Sequence, residues 1–327
     1  MVVDDFITDL PLASGGVLPG ARCRYAVWGE LNAARDNLIL YPTRFGGTHV
    51  QNAFLIGPGL ALDPQKYCIV VPNMLGNGES ASPSNTPGFP RVTHADNIEL
   101  QRRLLAERFG SAPIALAVGW SMGAQQSYRW AVEEPDRIAR LLTICGTART
   151  TAHNKVFLEG VLAALSADPR YDTGQSPVAG LRAAGRLYAG WAYSQPWINR
   201  AGWQAETIRS AFRAFADVDD WLTGYWDHLF MARHAGDLTA CAQTWIANDV
   251  ADGGDLAAAL GRISAKTHVM TATTDLYFTP ADCAAEAAMI PGAAYSDIET
   301  DWGHMCGSGQ SVDDTTVIDA AIRNILA

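Results

Sequence analysis

Ser121 lies in the pentapeptide Gly119-Trp120-Ser121-Met122-Gly123, after an apolar run and before a stretch with helical spacing. Small residues on both sides of a serine let the chain turn sharply from a strand into a helix and hold the hydroxyl above the sheet. The N-terminus of the helix adds free N–H groups and a positive dipole end, which favour developing negative charge. The pattern therefore predicts a nucleophilic serine rather than a simple helix cap.

A serine hydroxyl needs a base to take its proton and an acid to orient that base. Among the seven histidines, His304 follows the last predicted strand, where the chain order serine, acid, histidine delivers the base. Asp275 ends the strand before it and is the predicted acid. Asp297, Glu299 and Asp301 are rivals, but they lie too close in sequence to the histidine for an easy side-on approach, although an acid from another strand is not excluded.

An acyl intermediate also needs N–H donors for its oxyanion. The backbone N–H of Met122, the residue after the nucleophile, is one predicted donor. The second is expected from the loop after the first core parallel strand. Pro42 has no N–H, so Thr43 is the first choice and Arg44 the alternative.

These residues must be positioned by an alternation of short apolar runs and amphipathic stretches that starts at residue 37. This alternation is typical of a mostly parallel sheet with helices on both faces. Residues 6–31 resemble an antiparallel hairpin turned by Gly15-Gly16 and by Pro19-Gly20, which adds an antiparallel edge. Helices are predicted over 93–109 and 121–133. Core strands are predicted at 37–42, 67–72, 114–119, 138–144, 265–273 and 294–298.

The alternation stops after residue 147 and resumes at residue 261. We therefore predict a core of residues 1–147 and 261–327, with the helical segment 148–260 inserted as a lid. This predicted lid carries six of the ten tryptophans, and their rings either line a substrate pocket or fill a small helical core. For each single tryptophan the core interpretation is favoured.

Composition excludes several classes of function. The formal charge of -10 and the lack of a dense Lys/Arg stretch argue against nucleic-acid binding. No apolar run of about 18 residues predicts a membrane span, and the acidic N-terminus is unlike a signal peptide, so a cytoplasmic location is expected. The six scattered cysteines indicate buried, reduced thiols rather than a disulfide framework or a zinc site. No metal or cofactor motif is present, and no cofactor is predicted.

Several motifs carry a resemblance to a known family. They are YCIVVPNMLGNG at 67–78, FPRVT at 89–93, GWSMGAQQ at 119–126, PDR at 135–137 and ARTTAHN at 148–154. With them the chain, from about residue 20 to its end, resembles the homoserine O-acetyltransferase family of α/β-hydrolase-fold proteins. The resemblance implies an α/β-hydrolase fold, the same Ser121, Asp275 and His304, a helical lid, and commonly a homodimer built through that lid.

The sequence departs from that family where the family binds homoserine. Homoserine acetyltransferases carry an aspartate after the catalytic histidine to hold the substrate ammonium, whereas Met305 stands here and cannot pair with a cation. The family's His-Ala-Leu-Thr oxyanion loop is replaced by residues 41–44. A lid arginine that grips the homoserine carboxylate aligns ambiguously with 180–186, which makes Arg186 a candidate.

These departures resemble the esterase-like branch of the family. We therefore predict a serine hydrolase that cleaves small short-chain esters through an acyl-enzyme and releases the acid with water activated by His304. The predicted substrate-binding residues are Arg44, Trp120, Arg186 and Met305. One alternative is an acyl-CoA-dependent O-acyltransferase that uses an acceptor other than homoserine. Another is a binding protein that retains the pocket without catalysis.

Overall fold

The computed structural model describes residues 1–110, 112–204 and 214–327, so residues 205–213 of the predicted lid lie outside the described residues. The strands within these ranges form an eight-stranded sheet. The strands are β1 (Val2–Pro11), β2 (Val17–Trp28), β3 (Leu38–Leu40), β4 (Cys68–Pro72), β5 (Ile114–Trp120), β6 (Arg140–Ile144), β7 (Lys266–Ala272) and β8 (Ala294–Ile298).

The spatial order of the sheet is β1-β2-β4-β3-β5-β6-β7-β8. Strand β2 runs antiparallel to β1 and β4, and the remaining neighbours pair in parallel. The predicted fold class, a mostly parallel sheet with an antiparallel edge, is confirmed. The carboxyl ends of the parallel strands meet at one edge of the sheet, which is where open α/β sheets place their ligand sites.

The hairpin prediction is right in outline and wrong in one detail. Gly15 and Gly16 have φ of 90° and 83° and turn the chain between β1 and β2. Pro19-Gly20 does not form a turn, because both residues lie inside β2. The register shifts between Thr8 and Leu10 on the opposite strand, so Pro19-Gly20 forms an irregularity of the bulge type.

Helices connect the strands and cover the sheet. For example, the helix Met122–Glu133 packs on β5 and β6, the helix Pro280–Ala287 on β7, and the helix Val312–Leu326 on β6. In chain order the helices are α1 (His49–Asn52), α2 (His94–Phe109), α3 (Met122–Glu133), α4 (Ala152–Ser166), α5 (Val178–Ala192), α6 (Gln195–Asn199), α7 (Val218–Trp221), α8 (His228–Met231), α9 (Ala235–Ile246), α10 (Leu256–Leu260), α11 (Pro280–Ala287) and α12 (Val312–Leu326). Short 3₁₀ segments cover Ala53–Leu55, Pro135–Arg137, Gly202–Gln204 and Gly303–Ser308, and a π-helical turn covers Leu222–Asp227.

The central strands β3, β4 and β5 are buried along their whole length. Parallel strands covered on both faces are apolar throughout, which explains why the sequence signal for them is continuous rather than alternating. Each buried Leu, Ile or Val side chain contributes about 1.5–3 kcal/mol. The large apolar core therefore holds the loops at the strand ends in fixed positions.

Between β6 and β7 the described residues 148–204 and 214–260 form helices and no extended strand. An isolated backbone bridge joins Arg149 to Asp249, near the beginning and the end of this segment. Trp197, Trp203 and Trp221 pack on one another with ring centroids 5.3 to 6.3 Å apart. These rings fill the interior of the helical segment, as the core interpretation of the tryptophans expects.

The state of the cysteines and the character of the helices bear on the earlier expectations. All six cysteines are buried free thiols, and those of Cys145 and Cys306 lie 3.5 Å apart. Within the described residues, none of the helices combines the length and the apolar character that a bilayer crossing requires.

Candidate active site

The predicted nucleophile Ser121 occupies the sharp turn between the end of β5 and the start of α3. Its φ of 60° and ψ of -129° are rare for a residue with a side chain and indicate local backbone strain. A Cβ atom on Gly119 would lie 2.2 Å from the backbone of Gly123, and a Cβ on Gly123 would lie 2.6 Å from Pro42 O. Both glycines are therefore required by close packing, as the sequence pattern predicts.

His304 and Asp275 meet at the carboxyl edge of the sheet. His304 lies in the 3₁₀ segment after β8, and its Nδ1 is 2.8 Å from Asp275 Oδ2. The other carboxylate oxygen, Oδ1, accepts the backbone N–H groups of Tyr277 at 2.7 Å and Phe278 at 3.1 Å. Both side chains are 3% exposed or less in total residue area, so little water competes for these bonds. The arrangement leaves His304 Nε2 free to serve as a base.

Two of the three rival acids have other partners. Asp301 pairs with Arg200, whose Nη2 lies 2.9 Å from Asp301 Oδ1. Asp297 accepts the phenol of Tyr295. Asp275 is thus the carboxylate that the structure brings to His304.

Aromatic rings hold the His304 imidazole on several sides. Trp120 stacks on it with centroids 5.0 Å apart, and the rings of Tyr277 and Phe278 lie at 4.8 and 5.5 Å. The guanidinium carbon of Arg44 lies 4.6 Å from the centroid of the Trp120 ring. Trp120 therefore orients the imidazole in addition to lining the cavity, its predicted role.

The predicted oxyanion donors differ in availability. Met122 is the first residue of α3, and its N–H has no partner one helical turn back. The N–H of Thr43 donates to Pro72 O at 3.3 Å and extends the ladder between β3 and β4. The N–H of Arg44 has no backbone partner among the residues that the structure covers. The geometry therefore favours the alternative, Arg44, over the first choice, Thr43.

Ser121 and His304 line a cavity of about 770 Å³. Core residues form one wall, and residues of the predicted lid form the other. The core contributes Arg44, Phe45, Ser121, His304 and Met305, and the predicted lid contributes Tyr188, Tyr225, Trp226, Leu229, Phe230 and Arg233. Most of these side chains are apolar or aromatic, so the cavity suits a small molecule with few polar groups.

Three of the four predicted substrate-binding residues line the cavity, and one does not. Arg44, Trp120 and Met305 line the cavity. Arg186 does not, because its guanidinium is committed to Asp227, with Nη2 3.0 Å from Oδ2. The structure thus places Arg186 in an ion pair within the predicted lid and away from the cavity lining.

Arg233, just after α8, lines the cavity and was not predicted. Its sequence surroundings carry no signal that fixes which way the side chain points. No ion pair or side-chain hydrogen bond joins Arg233 or Arg44 to another residue in the described ranges. Burial, and then the charge of Arg233, lower the pKa of Arg44 to about 10. Two cationic groups thus face the same cavity without a carboxylate partner.

One group of possible metal ligands occurs among the described residues, formed by Cys145, Asp275 and His304. Their ligand atoms lie within 4.8 Å of one another. Burial raises the pKa of the Cys145 thiol well above its ordinary value, so the thiol is protonated at neutral pH and is a poor metal ligand. The group fits hydrogen bonding between acid and base better than metal binding.

Comparison with known proteins agrees with this geometry. The model of a family described as alpha/beta hydrolase fold matches residues 36–306. The chain is 38% identical to an ethyl acetate hydrolase of Pseudomonas veronii over 333 residues, covering 98% of this chain and 94% of that one. It is 33% identical to a homoserine O-acetyltransferase of Thermobifida fusca over 318 residues, covering 87% and 83% of the two chains.

A solved structure gives the same result. The acetylester hydrolase from Corynebacterium glutamicum superposes with a TM-score of 0.93 at 36% identity, covering 99% of this chain and 96% of that one. The resemblance predicted from the motifs, including the esterase-like branch, is thereby confirmed.

Proposed function

The chain belongs to the α/β-hydrolase family, and we propose that it is a serine esterase that cleaves small, short-chain carboxylic esters through Ser121, Asp275 and His304. Esterases and ester hydrolases among its relatives support carboxylic-ester hydrolysis as the activity. The observation that carries the assignment of residues is the bond from His304 Nδ1 to Asp275 Oδ2 at 2.8 Å, beside a cavity that Ser121 also lines.

The first half of the reaction forms an acyl-enzyme. Ser121 Oγ attacks the ester carbonyl carbon while His304 Nε2 takes the hydroxyl proton. Asp275 holds the ring by its other nitrogen and stabilises the imidazolium that forms. When the tetrahedral intermediate collapses, the alkoxide leaves and receives the proton from His304.

The second half releases the acid. Water attacks the acyl carbon and gives its proton to His304, and the Ser121 oxygen leaves and takes that proton back. In both halves the carbonyl oxygen carries negative charge. The N–H of Met122 and the N–H of Arg44 are the proposed donors to that oxygen, with Thr43 as the alternative to Arg44.

Met305 supports water rather than an amino alcohol as the acceptor. Its thioether lines the cavity one residue after His304 and offers no negative charge to an ammonium group. The mostly apolar and aromatic lining of the cavity supports uncharged acyl and alkyl groups, and the names of the ester-hydrolysing relatives support short ones.

Acyl transfer to an alcohol other than homoserine is the second candidate, and Arg44 and Arg233 favour it. Two guanidinium groups without carboxylate partners among the described residues suit an anionic group on an acyl donor or acceptor. The first half-reaction is the same for both candidates. They differ only in whether water or an alcohol takes the acyl group.

Three further proposals concern the lid, the oligomeric state and the location of the protein. Segment 148–260 acts as a lid over the cavity, supported by the lining residues that it contributes. The chain forms a homodimer through this lid, as the resemblance implies, and sedimentation of the purified protein tests it. A cytoplasmic location is supported by the buried free thiols, since reducing compartments keep thiols unpaired.

The activity is tested with p-nitrophenyl acetate, p-nitrophenyl butyrate and ethyl acetate, together with labelling by a fluorophosphonate. Turnover of the short esters and a label on Ser121 are expected, with neither in Ser121→Ala. Absence of both turnover and label in the wild-type protein would contradict the proposal. Added alcohols that divert most of the acyl group from water would favour the transferase.

A further inference from the structure

Gln126 lies on α3, five residues after the predicted nucleophile, and is completely buried. Its Nε2 donates to Thr43 O at 2.8 Å and to Met122 O at 3.2 Å. These two carbonyls belong to the two backbone segments that are proposed to supply the oxyanion donors. A single side-chain amide therefore ties both segments together.

The bond to Thr43 O acts directly on Arg44. The carbonyl of Thr43 and the N–H of Arg44 are part of one planar peptide unit, and in a trans peptide they point in opposite directions. Fixing the carbonyl toward Gln126 therefore fixes the N–H away from it. The same bond also sets the distance between the loop after β3 and the first turn of α3.

The orientation of the Gln126 amide is set by a chain of buried side chains. Trp130 Nε1 donates to Gln101 Oε1 at 2.8 Å, and Gln101 Nε2 donates to Gln126 Oε1 at 2.7 Å. An indole N–H can only donate, so Gln101 must turn its oxygen to Trp130 and its NH₂ group to Gln126. Gln126 is then left with its own NH₂ group facing the two carbonyls.

All three members of this chain are at most 1% exposed. Hydrogen bonds that run in one direction polarise one another, and their strength is greater in a buried setting. Any rearrangement would leave a buried amide group without a partner and without water, so the chain resists it. The oxyanion loop is in this way connected to the interface of α2 and α3.

We infer that Gln126 is a positioning residue for ester hydrolysis, which holds the oxyanion loop at residues 43–44 against the N-terminus of α3. The inference rests on the proposed function, because it assigns a role within that reaction. Gln126 itself does not contact the reacting atoms. It acts through the peptide unit that carries the Arg44 N–H.

The test compares three substitutions with p-nitrophenyl acetate as the substrate and a trifluoromethyl ketone as an analogue of the tetrahedral intermediate. Gln126→Met removes both the NH₂ donor and the oxygen acceptor of the amide with little change in side-chain volume. Gln101→Met removes the hydrogen bond that Gln101 Nε2 donates to Gln126 Oε1. Gln125→Met is the matched control, because Gln125 is equally buried on the same helix but bonds to His94 and Thr150 instead.

We expect Gln126→Met to lower kcat about tenfold to a hundredfold, somewhat less than removal of an oxyanion donor, with KM within about twofold. The Ki of the ketone should rise in the same proportion as kcat falls, because both depend on the oxyanion. Gln101→Met should shift both quantities in the same direction by a smaller factor. Gln125→Met should leave the ratio of Ki to KM unchanged, whatever it does to Tm.

Equal effects of Gln126→Met and Gln125→Met on kcat, or an unchanged ketone Ki in Gln126→Met, would overturn the inference. If Gln126→Met does not fold, Gln101→Met decides the question by the same two readouts. Failure of the proposed function is distinct, since it shows as a wild-type protein without turnover and without label on Ser121.

Discussion

The cavity has one wall from the sheet core and one from the predicted lid, and different interactions hold the two. In the core wall, Ser121 is fixed by a strained backbone turn, and His304 is fixed by a buried carboxylate and three aromatic rings. In the lid wall, the cavity-facing rings of Tyr188 and Phe230 pack on each other at 5.5 Å. A strained turn and a carboxylate–imidazole bond thus position the reacting groups, whereas aromatic packing shapes much of the space for the substrate.

From this difference we expect substitutions in the two walls to change different kinetic constants. A change in the core wall should lower kcat, because the transition state requires fixed donors and a fixed base. A change in the lid wall should act mainly on KM and on the choice of substrate. Substitutions at Ser121, Asp275 and Arg233 test this division.

Ser121→Ala should lower kcat by a factor of about 10⁴ or more, because it removes the nucleophile. Ester turnover and fluorophosphonate labelling measure the effect. Ser127→Ala is the control, since this buried hydroxyl of the same helix donates to Gly123 O. Substantial turnover in Ser121→Ala would show that the core wall does not carry the reaction as proposed.

Asp275→Asn should lower kcat by a factor of about 10³–10⁴, because an amide can donate to His304 Nδ1 and stabilise the wrong tautomer. KM should change little. Asp301→Asn is the comparison, since Asp301 is bonded to Arg200 rather than to the imidazole. A larger loss in Asp301→Asn than in Asp275→Asn would reverse the assignment of the acid.

Arg233→Met tests the lid wall. For an ester that carries a carboxylate, such as monoethyl succinate, KM should rise about tenfold with little change in kcat, because one charge-assisted contact is lost. For ethyl acetate neither constant should change by more than about twofold. Arg186→Met is the control outside the cavity and should leave KM for both esters unchanged. A fall in kcat for both esters in Arg233→Met would break the division between the walls.

The sequence predicted the core wall better than the lid wall, for a physical reason. Ser121 and Asp275 follow the buried strands β5 and β7, His304 follows the edge strand β8, and the carboxyl ends of these parallel strands meet at one edge of the sheet. Their proximity follows from strand order alone. Arg186 lies on α5 and Arg233 just after α8, both in an inserted segment. The rotation of each helix there depends on packing between elements, so the sequence could not tell which of the two arginines faces the cavity.

Two finer details were hard to predict for a similar reason. Pro19-Gly20 has the composition of a turn, yet it lies in a strand irregularity, because the same backbone freedom serves both structures. The choice between Thr43 and Arg44 depends on the direction of a single peptide unit. That direction is set by contacts distant in sequence, including the one from Gln126.

A buried carboxyl group lies where the core contacts the beginning of the predicted lid. Glu286 on α11 accepts the backbone N–H groups of Ala148 at 2.6 Å and Arg149 at 3.1 Å, at the beginning of the predicted lid. Burial raises its pKa from 4.5 to about 7. Because the folded protein binds this proton more tightly than the unfolded chain, the contribution to stability is fully present below about pH 4.5 and is lost as the pH rises through 7.

Between pH 5 and pH 8, the wild-type Tm should therefore fall by a few degrees more than that of Glu286→Gln, which cannot titrate. The underlying free-energy difference is up to about 3 kcal/mol, from the size of the pKa shift. Glu299→Gln, which alters an exposed carboxyl group, should follow the wild-type curve. Parallel curves for wild type and Glu286→Gln would mean that this carboxyl group is ionised throughout the range. The contact between core and lid would then hold equally well at all these pH values, because the bonds from the two N–H groups would offset the cost of burying the charged form.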